Sequence, residues 1–108
     1  MTEPVSMSEV VRIIGDDLTL ADQRLQTPGM LGPDWQALYA LRKHLDDIQR
    51  QLVMKVIKQN TAKYQQLTTD LKKASDDLKS ISKELQTIAD FFAALTIIVD
   101  LADRVLKL

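Results

Sequence analysis

Residues 34–108 contain neither glycine nor proline, an uninterrupted run of 75 residues. Nothing in that run forces the backbone out of a helix. Its apolar residues recur at alternating spacings of three and four, the pattern of one buried helical face. As one straight helix the run would reach roughly 110 Å at 1.5 Å per residue. A compact chain of this length has a radius of gyration of only ~13 Å. The run therefore folds back on itself, or the molecule is a rod.

The phase of the apolar residues helps to separate these outcomes. One seam, Leu38, Leu41, Leu45, Ile48 and Leu52, is followed by a second that starts at Tyr64 and Leu67 and continues through Leu106. Leu52 and Tyr64 are twelve residues apart, which on a helix turning about 100° per residue sets the seams ~120° out of register. Lys58-Gln59-Asn60-Thr61 stands at the joint. Its Asn can end one helix in the left-handed conformation and its Thr can cap the next, so a turn is expected at 58–61. Within the second seam, residues 70–90 form three blocks of seven, each opening on an acid followed by Leu, with Ala or Ile three residues further on. Such a heptad holds a helix against other helices and performs no chemistry by itself.

Upstream, Ser6-Met7-Ser8-Glu9 reads as a capping box with Val5 and Val10 as its hydrophobic staple. Met7, Val11, Ile14, Leu18, Ala21 and Leu25 then mark one face of an amphipathic helix. Gly15 lies in its middle and costs about 1 kcal/mol against Ala. Residues 27–33 hold two of the three prolines and two of the three glycines, so they form a connection. No alternating β-branched run is bounded by turn residues. The fold expected is an all-α bundle, a single helical domain over 1–108 with long coiled-coil-like heptad helices. Three helices are placed near 7–26, 34–59 and 61–107, with a fourth if the tail bends at Thr87-Ile88-Ala89-Asp90, which has capping-box spacing.

Composition narrows the function classes. The formal net charge is −1, so no global field draws the chain to nucleic acid or anionic lipid. Lysines 72, 73, 79 and 83 are interleaved with Asp70, Asp76, Asp77 and Glu84, which makes a solvated face and no phosphate track. Cysteine is absent, so there is neither a disulfide nor a thiolate metal site. The first six residues lack the basic and apolar regions of a secretory signal, and a cytoplasmic protein is the expectation.

Catalytic parts are scarce, and neither a catalytic residue nor a cofactor is assigned. His44 is the only histidine, with Asp47 three residues on. A bundle metal site draws further carboxylates from facing helices, and the one nearby acid, Asp46, points elsewhere. The adjacent pairs Asp16-Asp17, Asp46-Asp47 and Asp76-Asp77 diverge by about 100° on a helix and read as solvated faces. Phosphate-loop glycines and a nucleophile elbow are also missing.

The anomaly is the last twenty residues. Beyond Asp90 the apolar stripe widens: Phe91, Ile98 and Val105 occupy positions that upstream carry acids, and Ile97 fills an outer one. A helix apolar on most sides must be buried on most sides. If the third helix doubles back at Asn60, residues 61–87 already span the second helix, and the tail projects beyond it uncovered. Three covers suggest themselves: a fold-back as a fourth helix, a protein partner or second copy, or a membrane surface. The partner is preferred, with Phe91, Phe92, Leu95, Ile98, Val99, Leu101, Ala102, Val105 and Leu106 as its interface. The expected function is accordingly a non-enzymatic protein–protein interaction module, a regulator, adaptor or assembly subunit, as a homo-oligomer with a dimer favoured. The alternative is a membrane-acting or secretion-assembly component that exposes residues 88–108. A metal-dependent site at His44 is the third reading.

Overall fold

A computed structural model describes residues 5–26, 32–83 and 88–108. Among them are four α-helices and no strand: α1 (Met7–Leu25), α2 (Gly32–Met54), α3 (Ala62–Lys83) and α4 (Ile88–Leu106). The all-α bundle follows from the sequence, but the helix expected over 61–107 is two helices. Thr87 lies outside the described residues, so the capping box read there is not observed. The radius of gyration is 14.0 Å, that of a compact chain rather than a rod.

Each helix packs chiefly on two neighbours. α1 lies against α2 and α3, and α4 lies against α2 and α3, so the consecutive pair α2 and α3 occupies a diagonal. Cross-contacts fix the directions. Gln49 reaches the Val11 carbonyl and Arg42 reaches Asp22, so α2 runs antiparallel to α1. Glu9 with Lys72 and Asp16 with Lys79 show α1 and α3 parallel. Ile81 and Ala74 face Asp90 and Ile97 along the α3–α4 groove, as antiparallel helices do.

Local chemistry sets the helix ends. The Ser6 hydroxyl accepts from the Glu9 amide at 3.1 Å, and Val5 and Val10 are both buried. Thr61 likewise accepts from the Tyr64 amide at 3.2 Å and starts α3. α2 stops at Met54, five residues before the 59 that the sequence suggests. There the chain must leave α2 and cross the bundle's end to the diagonal position. Ile57 turns into the core during that crossing, while Lys55 Nζ donates to the Leu106 carbonyl at the end of α4.

The fold-back of α4 changes what covers its stripe. Phe91, Leu95, Ile98, Val99, Ala102 and Val105 are buried in the chain's own core, and Phe92, Leu101 and Leu106 are half-buried at its edge. The tail does not project past α2, because α3 ends at Lys83 and α4 returns beside α2. The burial this surface requires is thus supplied within the chain.

Candidate functional site

With that stripe turned inward, the surface α4 presents outward is a different one: Ala89, Asp90, Ala93, Ile97, Asp100 and Arg104 are all exposed. They follow spacings of three and four and so form one ridge. Ile97 is the largest apolar group on it and remains 55% exposed. Apolar-floored grooves flank the ridge. Between α3 and α4 a groove of about 490 Å³ is floored by Ala74, Ile81, Ala93 and Ala94, with Asp77 and Asp90 on its rim. Between α2 and α4 a second, of about 300 Å³, is lined by Ala37, Ile88, Ala89, Phe92 and Ala93 beside Asp34. Ala93 borders both, and its small side chain leaves the α4 backbone approachable from outside.

Of the nine residues proposed from the sequence as an interface, Phe92 lines the upper α2–α4 groove and Leu106 the lower one. Leu101 is half-buried, and the other six are core. The outward ridge centred on Ile97 was visible in the sequence only as an apolar residue in an outer position. His44 is exposed on α2 in the lower groove, across from Asp103 and Lys107. Asp103 is already paired with Lys107 at 2.7 Å. Among the described residues no three His, Cys, Asp or Glu side chains converge as a metal requires, and no helix is long and apolar enough to cross a membrane.

Other large apolar side chains are also exposed, Leu108 among them. Trp35 and Tyr39 stack on α2 with ring centres 5.3 Å apart, and the Trp35 indole donates to the Leu25 carbonyl at 2.9 Å. That pair closes the end of α1, so a structural role accounts for it. Val53, Met54 and Val56 stand out from the α2–α3 crossing at the opposite end of the bundle, with Val56 97% exposed.

One polar group lies inside. Asp17, read from the sequence as part of a solvated pair, is 0% exposed and sits in the α1–α3 seam. The Ser75 hydroxyl donates to its Oδ1 at 2.6 Å, while Oδ2 has no protein hydrogen-bond partner. Burial is the main cause pushing its carboxyl up to about 7, against the lowering effects of the Ser75 hydrogen bond and the Lys79 charge. The face of α1 is rotated from the expected one: Val10, Ile13, Ile14, Asp17, Leu18 and Ala21 are its buried residues. The doublets Val10-Val11 and Ile13-Ile14 leave that phase open by one residue. Taking Val10 and Ile13 as the inner members would have placed Asp17 inside.

No protein-family model, curated protein or solved structure matches the chain.

Proposed function

We propose that this chain is a non-enzymatic protein–protein interaction module that pairs the outer face of α4 with the same face of a second copy. The observation that carries the reading is Ile97, half-exposed at the centre of a ridge flanked by apolar grooves. A two-fold contact brings the same patch together from both subunits. Centred on Ile97 with the helices antiparallel, it sets Asp90 opposite Arg104, each seven residues from the centre, and does so twice. The same register brings Ala93 opposite Leu101. Opposite charges thus meet at both ends of an apolar middle, which favours this register over its neighbours. Covering the exposed half of Ile97 contributes roughly 1 kcal/mol per copy, and the groove walls of α3 add to it. A regulator, adaptor or assembly subunit would use such a contact.

Size-exclusion chromatography with light scattering tests this. The wild type is expected at twice the chain mass of 12.2 kDa, and Ile97→Asp at the single mass with unchanged helicity. Arg104→Asp is expected to weaken the dimer, and adding Asp90→Arg to restore it. A wild type that stays monomeric at high micromolar concentration would refute the reading. Liposome flotation checks the membrane alternative, which requires binding by the wild type.

A further inference from the structure

The α1–α3 seam is the least extensive of the four that close the bundle, and Asp17 is buried in it. We propose that Asp17 is a proton-held latch: its neutral carboxyl seats α1 on α3, and loss of that proton weakens the seam.

A neutral carboxyl in this position needs no counter-charge: Ser75 donates to Oδ1, and a proton on Oδ2 leaves a neutral group there instead of an unpartnered charge. A carboxylate there would have a second oxygen without a protein donor, and a buried charge without full compensation is costly. The charges that act on Asp17 come from its own helix and from α3: Lys79 favours ionisation, whereas Asp16 and Asp76 oppose it. Lys79 is the one cation among them, and its Nζ is shared with Asp16 at 3.5 Å. Elsewhere the seam is tied by Lys72 with Glu9 at 3.6 Å and by the Tyr64 hydroxyl on the Val5 carbonyl. The Lys72 pair is largely screened by solvent and holds little, so beside the apolar packing of Ile13, Ile14 and Leu18 the state of Asp17 is the buried polar variable at the middle of α1.

The direction follows from linkage. The folded chain holds the proton up to about pH 7, whereas in the unfolded chain the carboxyl returns to about 3.8. Between those values the folded state binds the extra proton, so stability falls as pH rises through this window and levels off above it. The latch is closed in mildly acidic solution and open above neutrality.

The experiment compares urea unfolding of the wild type with Asp17→Asn, whose amide mimics the neutral acid. The ratio of their unfolding constants, wild type over variant, is expected to rise at least ~tenfold between pH 5 and pH 7. Other titrating groups cancel in that ratio, and a smaller rise overturns the proposal. The Asp17 carboxyl carbon, followed by NMR in the wild type, is expected to titrate with a midpoint above ~6. A lower midpoint overturns the proposal, and this measurement stands alone if Asp17→Asn does not fold. Neither readout depends on dimer formation when made at a concentration where Ile97→Asp and the wild type behave alike.

Discussion

The hydroxyl of Tyr64, in the first turn of α3, donates to the backbone carbonyl of Val5, which lies just ahead of α1 and 59 residues away in the chain. Tyr64 is fully buried, and burial together with the Glu9 charge raises its phenol above the ordinary value. The bond therefore persists through the neutral pH range. Tyr64→Phe keeps the ring and strands the Val5 carbonyl. We expect a loss of about 1–2 kcal/mol in urea unfolding, with the denaturant slope unchanged because the packing is the same.

Gly15 predicts the opposite sign. A methyl group added there would meet the Gln49 side-chain nitrogen at 3.4 Å, the near edge of ordinary contact, which leaves that amide its bond to the Val11 carbonyl. The close helix approach that can require glycine is absent at this position. Gly15→Ala should therefore stabilise by roughly 0.5–1 kcal/mol through helix propensity, raising the thermal midpoint by a few degrees.

These two residues show what the sequence could and could not convey. Tyr64 stands first in the long apolar seam, and its burial and the Thr61 cap just before it are both legible as local pattern. Its partner is not, because a contact across 59 residues leaves no trace in spacing. The break between α3 and α4 was legible only as an alternative, for a related reason. A heptad phase that continues unbroken from Leu78 to Leu95 is equally compatible with a straight helix and with a return path. What discriminates is where the widened stripe goes: Phe91, Ile98 and Val105, the residues that replace acids after Asp90, are buried alongside Leu95 and Ala102. Thr68 and Ser75 show the same limit of spacing. They are polar residues beside the heptad's apolar seam, and both are buried. Small polar residues whose hydroxyls find partners locally, as Thr68 does on the Tyr64 carbonyl at 2.8 Å, can be buried at little cost. The candidate site suffered most, since a surface is defined by what the core leaves over.

Arg42 links α2 to α1 by two bonds to Asp22, at 2.8 and 3.3 Å, and its second acidic neighbour is Asp46 on its own helix. Its side chain is 28% exposed and that of Asp22 46%, so solvent screens part of the interaction. Arg42→Met, which keeps the aliphatic stem, should cost about 1 kcal/mol at low ionic strength. Repeating the unfolding in 1 M salt should shrink that cost, since the Debye length is then about 3 Å. A loss that does not respond to salt would assign the role of Arg42 to packing.

Leu95 and Ile97 are two residues apart on α4 and should respond in opposite ways to the same substitution. Leu95 is fully buried, whereas Ile97 is exposed. Leu95→Asp puts a carboxylate into a core with no partner for it and removes a large apolar group, two losses that together exceed ~4 kcal/mol. That is comparable with the whole stability of a domain this size, about 5–15 kcal/mol. The variant should lose most of its helical circular dichroism at neutral pH. Ile97→Asp should keep its helicity and thermal midpoint within a few degrees, losing only the association proposed for that face. If Leu95→Asp instead folds normally and Ile97→Asp does not, α4 is rotated by about half a turn from the arrangement described.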